Sequence, residues 1–93
     1  MTVLEDIRRA LRLTTDAYDA ELESLQEAAL LDLQIAGVVT ESGDALIKRA
    51  VITYVRLHFG TPDDYDRIKA SYDEQKAQLS MATGYTDWGA ANA

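Results

Sequence analysis

Few residues of this 93-residue sequence could do chemistry, and they are scattered along it. His58 is the only histidine, and it needs a partner and a pocket to act as a general base. It closes an apolar stretch just before Gly60, where a histidine at a helix C-terminus needs no catalytic explanation. No base stands in a recognisable pattern beside any of the four serines, which are Ser24, Ser42, Ser71 and Ser80. We therefore expect no activated nucleophile.

The nearest approach to a cation site is the acidic group Asp63, Asp64 and Asp66. These acids follow Pro62 in what reads as the first turn of a helix, where carboxylates stabilise the positive end of the helix dipole without a metal. The sequence contains no cysteine, which excludes thiolate metal sites and disulfides. Phosphate-binding loops and the common hydrolase and metalloprotease motifs are also absent from it. We predict no enzyme, no cofactor and no metal site.

The composition is that of a small acidic domain, with a net charge of −7 and a pI of about 4.4. Gripping nucleic acid requires clustered Lys and Arg, so Tyr54, Tyr65 and Tyr72 are better explained as core residues than as base-stacking platforms. No apolar run approaches the roughly 18 residues of a membrane-spanning helix. The N-terminus lacks the pattern of a signal peptide, so we expect no membrane association and synthesis in the cytoplasm.

The charges are unevenly distributed along the chain. Between Leu13 and Ile47 there is no Lys or Arg, yet eight of the sixteen acids lie there, and the nine bases occupy the two flanks. Such a chain can stack neighbouring copies with an acidic face against a basic face. The simpler alternative is that these charges belong to solvated helix faces.

The element that must organise the fold is the stretch from Asp44 to Phe59, which runs sixteen residues without Gly or Pro. As a helix it spans about 24 Å and is apolar around most of its circumference, which predicts a central position in the domain. A buried strand pair is the competing interpretation, because residues 51–55 favour strands. The length and the absence of a turn signal favour the helix.

Shorter amphipathic patterns on both sides complete a predicted all-α fold, a small bundle of about four helices. The expected helices cover approximately residues 3–12, 17–36, 44–59 and 62–82. In the second helix, Leu30, Leu31 and Ile35 widen the apolar stripe near its C-terminal end. We expect a single helical domain over residues 1–84 and a C-terminal tail over residues 85–93.

Cap and turn residues support these boundaries. We expect a capping box at Thr2 and Glu5, an N-cap at Thr15 or Asp16, a C-terminal glycine at Gly37, a turn and cap at Ser42 to Asp44, and an N-cap at Thr61 with Pro62 at the first helical position and Gly84 as the last stop.

Four segments carry a resemblance to a known family: Ile7–Leu13, Thr14–Leu25, Ala50–Gly60 and Asp63–Tyr85. The order and sequence of these segments, above all AVITYVRLHFG followed by TPDDYDR, resemble those of the small head–tail connector proteins of tailed phages and prophages. These proteins are also called head-completion or adaptor proteins. The resemblance covers about four-fifths of the chain. It implies an all-helical structural protein without catalytic residues.

The resemblance also implies where and with what the protein works. In that family about twelve or thirteen copies form a ring beneath the portal protein of the DNA-filled head. The ring extends the DNA channel, lets DNA pass without specific binding, and presents a platform to a tail-side connector or stopper protein. The expected location is the head–tail junction of the virion, with the host cytoplasm during assembly.

Three sets of residues follow as candidates for assembly. For the subunit interface we predict Glu21, Glu23 and Glu27 of one copy against Arg8, Arg9, Arg12 or Arg49 of the next. The family's channel lining usually comes from the loop between the second and third long helices, which here is Val38, Val39, Thr40, Glu41, Ser42 and Gly43. Tyr85 and Trp88 either fold back on the core or dock on another chain, and we predict docking on a sister subunit or the portal.

A function of a different class remains open. A small acidic helical protein of a mobile element can act as a protein-binding or regulatory module, working as a monomer or dimer. Its acidic second helix would then mimic DNA and occupy a partner's nucleic-acid site.

Overall fold

The computed structural model describes residues 3–41, 44–60 and 62–82. These residues form four α-helices, and none of them forms a β-strand. The helices are α1 (Val3–Ala10), α2 (Asp19–Ile35), α3 (Ala45–His58) and α4 (Tyr65–Met81). The predicted all-α fold is confirmed, and the strand pair considered for residues 51–55 is excluded because that segment lies inside α3.

Helix α3 is the central element, because α1, α2 and α4 all pack against it. It begins where the sequence predicts, since the Asp44 carboxylate accepts hydrogen bonds from the backbone N–H groups of Leu46 at 3.1 Å and Ile47 at 3.2 Å. Five α3 residues are buried: Ile47, Ala50, Val51, Val55 and Leu57. They occupy one broad side of the helix, so the opposite side of α3 stays open to solvent.

The turn from α2 into α3 is closed by glycine, as predicted. Gly37 has φ 93°, its N–H bonds to the carbonyl of Gln34 at 3.0 Å, and the N–H of Val38 bonds to the carbonyl of Leu33 at 2.9 Å. This pair of bonds is a Schellman motif, and it usually brings the residue after the glycine against the helix. Leu33 and Val38 are both buried accordingly, so the loop leaves α2 from a fixed point.

Helix α1 ends in the same motif without a glycine. The expected helix reached Arg12, but α1 stops at Ala10 and Arg12 adopts φ 58°. The N–H of Arg12 bonds to the carbonyl of Arg9 at 3.1 Å, and that of Leu13 bonds to the carbonyl of Arg8 at 2.9 Å. The chain turns here because Leu11 and Leu13 pack against the core beside the fully buried Ile7.

The predicted starts of α2 and α4 are early by two to three residues. The Thr15 hydroxyl accepts from Ala17 N–H at 3.1 Å within a turn, and Tyr18 stands at the N-cap of α2 without a side-chain bond. Pro62 precedes α4 rather than opening it, and Asp64 is the N-cap. Thr2, Thr61 and Gly84 lie outside the described residues.

Candidate assembly surfaces

Where the structure describes them, the chemical candidates of the sequence lie apart from one another. His58 is exposed at the end of α3, and its ring lies 4.3 Å from that of Tyr54, centroid to centroid. Asp64 pairs with Arg67 on its own helical turn. Among the described residues, no group of three His, Cys, Asp or Glu side chains could hold a metal ion. In the same part of the chain, no helix has the length and apolar character needed to cross a membrane.

A polar network ties α4 to α2 on the inner side of the bundle. The Tyr72 hydroxyl donates to Asp32 Oδ2 at 2.5 Å, and the Lys76 ammonium lies 3.2 Å from the same oxygen. Lys76 also lies over the Tyr72 ring, 5.3 Å from its centroid, and the ring of Tyr54 meets that of Tyr72 edge-on at 5.3 Å. This network joins residues forty or more positions apart and fixes the register of α4 on α2.

The network shifts the proton affinities of its members. Partial burial raises the pKa of Asp32, but the hydrogen bonds from Tyr72 and Lys76 outweigh it, so the pKa lies below its ordinary value of 3.8. Burial, followed by the hydrogen bond to Asp32, raises the pKa of Tyr72 well above its ordinary value of 10.0. The sequence signal for this contact is a tyrosine in the buried stripe of α4, since a buried tyrosine hydroxyl needs a partner.

The outer face of α2 carries carboxylates that the fold does not use. Glu21, Glu23 and Glu27 are exposed, and none forms an ion pair with another described residue. Glu23 and Glu27 are one helical turn apart and share a face, whereas Glu21 lies about 160° around the helix from Glu23. We call Glu23 and Glu27 the acidic pair.

Two apolar residues extend this outer face toward the C-terminal end of α2. Leu31 is 58% exposed and Ile35 is 85% exposed. The prediction that the inner apolar stripe widens here was therefore wrong for these two residues, whereas Leu30 is partly buried and packs against the core. The inner stripe consists of Leu22, Ala29 and Leu33, and Leu31 and Ile35 lie on the other side of the helix from it. Helix α2 thus has apolar residues on both sides.

On α3, the solvent side carries two arginines, Arg49 and Arg56, which we call the basic stripe. They are exposed and two helical turns apart, or roughly 10 Å along the axis. A groove against α4 runs along one side of the stripe and includes Arg67, and a shallower depression against α1 on the other side includes Arg9 and Lys48. Five basic side chains therefore line this surface.

The fold uses some of the predicted interface bases internally. Arg8 Nε lies 3.2 Å from Asp19 Oδ1, although the two groups are not aligned as a hydrogen bond. Arg9 lies 3.5 Å from Asp6, whose other oxygen is 3.2 Å from Lys48. In the described residues, by contrast, Arg12, Arg49 and Arg56 have no ion pair.

The acidic pair and the basic stripe lie on opposite sides of the molecule. The basic stripe is flanked by α1 and α4, so α2 packs on the remaining, buried side of α3. The acidic pair in turn lies away from the buried stripe of α2. Within the described part of the chain, one side therefore presents the carboxylates of Glu23 and Glu27 without an ion pair, and the other presents the guanidinium groups of Arg49 and Arg56 without an ion pair.

A comparison with protein families gives this arrangement a context. The family described as phage connector protein matches residues 3–86, which is nearly the whole chain. The chain belongs to the phage connector protein family. No curated protein and no solved structure matches it. The predicted resemblance is confirmed, and this connector protein has the role of a structural component of a phage particle, in association with other head or tail proteins.

The predicted channel loop of the connector is held at its first residues. Val38 is buried, and Thr40 accepts a hydrogen bond from the Gln34 side chain at 3.0 Å. Val39 is half-buried and Glu41 is exposed. The described residues do not include the rest of the loop, Ser42 and Gly43. They also do not include the predicted docking residues, Tyr85 and Trp88.

Proposed function

We propose that this connector is the subunit of an oligomeric ring that joins the portal of the DNA-filled head to the tail and extends the DNA channel. The observation that carries the proposal is the placement of the unpaired acidic pair of α2 opposite the unpaired basic stripe of α3. Glu23 and Glu27 of one copy face Arg49 of the next in this arrangement. Arg12 extends the same interface, and Arg8 and Arg9 contribute only as members of internal ion pairs. Glu21 lies outside this interface, because it is about 160° around α2 from Glu23.

A ring of identical subunits requires two different surfaces that fit each other. When the same patch meets itself, association stops at a dimer, whereas head-to-tail contacts close into a ring if the rotation per subunit allows it. Opposite charges on opposite sides favour the head-to-tail contact and disfavour acid-to-acid or base-to-base contacts. The contacts of the ring, rather than a pocket within one subunit, then perform the work of joining head to tail.

The other partners follow from the position of such a ring. The portal lies above it and a tail-side connector or stopper lies below it, with about twelve or thirteen copies in the ring. A chain with net charge −7 repels phosphates, so DNA passes without specific binding. The loop Val38–Gly43 lines the channel, and the tail over residues 85–93 docks through Tyr85 and Trp88 on a sister subunit or the portal.

The test is assembly measured by mass photometry and negative-stain electron microscopy, with and without the portal protein. We expect closed rings with the wild-type chain, at least in the presence of the portal. The double substitution Glu23→Lys with Glu27→Lys should abolish rings while circular dichroism shows an intact helical monomer. The matched control is Asp66→Lys with Asp73→Lys, which makes the same charge change on exposed residues of α4 that face away from the groove.

The rival function is the monomeric or dimeric acidic module that mimics DNA, and it depends on the same three glutamates of α2. It predicts species of one or two copies at every concentration, whether or not the portal is present. That result for the wild-type chain would contradict the ring proposal. Rings that form equally well with both charge-reversed variants would instead contradict the assignment of the two faces.

A further inference from the structure

We infer that the groove between α3 and α4 is the binding site for the outer face of α2 from a second copy of this chain. This inference depends on the proposed ring and names the surface by which it closes. The groove has a volume of about 260 Å³ and is open to solvent. Eight residues line it: Arg49, Thr53, Arg56, Asp64, Arg67, Ile68, Ser71 and Gln75.

The groove is built to receive carboxylates. Arg49 and Arg56 contribute guanidinium groups from α3, and Arg67 contributes one from α4, where it is already paired with Asp64. Guanidinium groups bind carboxylates through paired N–H donors, and such contacts are stronger than bonds between neutral groups. Three arginines against one aspartate leave the groove with a positive charge that no described residue neutralises by an ion pair.

A second feature of the groove also requires a partner. The Gln75 side-chain oxygen is buried, and it has no hydrogen-bond partner among the described residues. A buried amide without a partner destabilises the fold unless something donates to it. The hydroxyl of Ser24, which is exposed on α2 about 60° around the helix from Glu27, is a donor of suitable size.

The dimensions favour a helix with two acids as the occupant. Glu23 and Glu27 present carboxylates about 6 Å apart along one helix face. The two arginines of the basic stripe are roughly 10 Å apart along α3, a gap that their long side chains can close from both ends. A DNA backbone is disfavoured because the chain is acidic overall and Asp64 lies in the groove. We therefore assign the groove to α2 of the adjacent subunit.

Engineered cysteines provide the test, because the chain has none of its own. Chains carrying Ser24→Cys are mixed with chains carrying Ser71→Cys, in the presence of the portal, and oxidised mildly. We expect a covalent dimer on a non-reducing gel, and a ladder of higher species from the double variant. An internal disulfide is excluded by the opposite positions of the two residues, one on the outer face of α2 and one in the groove.

The control replaces Ser71→Cys by Ala70→Cys, an adjacent and exposed position that does not line the groove. It should give at least about tenfold less dimer, because its Cβ lies about 100° around α4 from that of position 71, and a disulfide cannot join Cβ vectors that point apart. Wild-type rings together with equal crosslinking at both positions would overturn the groove assignment and leave the ring intact. The absence of wild-type rings would instead overturn the proposed function.

A charge swap separates a helix from a nucleic acid in the groove. Arg56→Glu should raise the concentration for half-assembly at least about tenfold, which corresponds to about 1.4 kcal/mol per contact, and Glu27→Arg on the same chain should restore assembly. DNA binding by the wild-type chain that is lost in Arg56→Glu and weakens steeply with salt would overturn the inference. Restoration by the second substitution supports the inference, because it requires residue 27 of one chain to contact residue 56 of the next.

Discussion

The carboxylates of α2 fall into two groups whose fates differ. Asp32 accepts hydrogen bonds from the Tyr72 hydroxyl and the Lys76 ammonium group of α4, and these bonds hold it within the bundle. Glu23 and Glu27, on the same helix, project to solvent without an ion pair in the described chain. Helix α2 therefore uses Asp32, together with Asp19 through Arg8, to hold the monomer, and leaves Glu23 and Glu27 for the proposed contact with another copy.

This difference shows which acidic residues are candidates for contacts between subunits. Most exposed charges contribute little to stability, so a lone glutamate on a helix has no further meaning. Here the acids are unpaired on one side and the arginines on the opposite side, although internal pairs form readily elsewhere in the chain, as Arg8 with Asp19 and Lys69 with Asp73 do. The separation of charge, rather than the amount, is what supports an intermolecular interface.

The largest effect should follow from breaking the inner contact. Asp32→Ala removes the acceptor of both Tyr72 and Lys76, and we expect it to lower the free energy of unfolding by about 1–2 kcal/mol. Partial exposure of Asp32 keeps the cost at this modest level. Glu27→Ala should change stability by less than about 0.5 kcal/mol. Urea titrations of both variants measure the contrast, and equal losses would erase the distinction between the two groups.

The stabilisation contributed by Asp32 should depend on pH in the acid range, because its pKa is lowered in the folded protein. The folded-state pKa of Asp32 is below its ordinary value of 3.8, so its contribution to stability is complete above that value and disappears as the pH falls through the folded-state pKa. The stability difference between wild type and Asp32→Asn should shrink in that window. Urea titrations of both chains at pH 7 and at steps below pH 4 follow it. A constant difference at all pH values would contradict the lowered pKa.

The stabilisation contributed by Tyr72, the donor of this hydrogen bond, should depend on pH in the alkaline range. The pKa of Tyr72 is raised by burial and by Asp32, so above its ordinary value of 10.0 the unfolded chain loses a proton that the folded chain keeps. Stability must then fall as the pH rises past about 10. Tyr72→Phe should cost about 1 kcal/mol at neutral pH and flatten this decline. Thermal melts across that range compare the two, and an unaltered alkaline slope in Tyr72→Phe would count against the assignment.

The smallest effect concerns the unpaired base at the end of α1. Arg12 holds φ 58°, a conformation that costs a residue with a side chain about 1 kcal/mol more than glycine. Arg12→Gly should therefore leave the monomer equally stable or stabilise it by up to about 1 kcal/mol. If Arg12 belongs to the ring interface, the same variant should assemble less well. Unfolding and assembly measured side by side test both, and a loss of monomer stability would show that the backbone there is not strained.

Much of the fold is predictable from the sequence because it depends on local rules. The uninterrupted stretch of α3, the cap at Asp44 and the glycine at Gly37 each act within a few residues. The start of α2 was predicted too early because the Thr15 hydroxyl closes a turn instead of capping the helix. The start of α4 was predicted too early because Asp63 and Asp64 form a turn before the helix begins. Local propensity does not decide between such competing bonds.

The assembly surfaces are only partly predictable, because pairing depends on tertiary distance. The sequence shows that bases avoid the second helix, but Arg8 and Arg9 look as available as Arg49 until the fold brings Asp19 and Asp6 beside them. The groove that unites Arg49, Arg56 and Arg67 requires two helices in register, and Arg67 carried no signal of its own. The position of Tyr72 in the buried stripe indicates that its hydroxyl needs a partner, but the identity of that partner, Asp32, forty residues away, depends on the fold.

The fixed ends of the loop between α2 and α3 limit what that loop can do. Val38 is pinned by the Schellman turn and Asp44 by its cap on α3, which leaves five residues between two anchors. Five residues that leave and return can extend at most about 10 Å from the bundle. In the proposed ring, a loop of this length would narrow the path of DNA but would not reach across it, so the distance of each bundle from the ring axis would set the aperture.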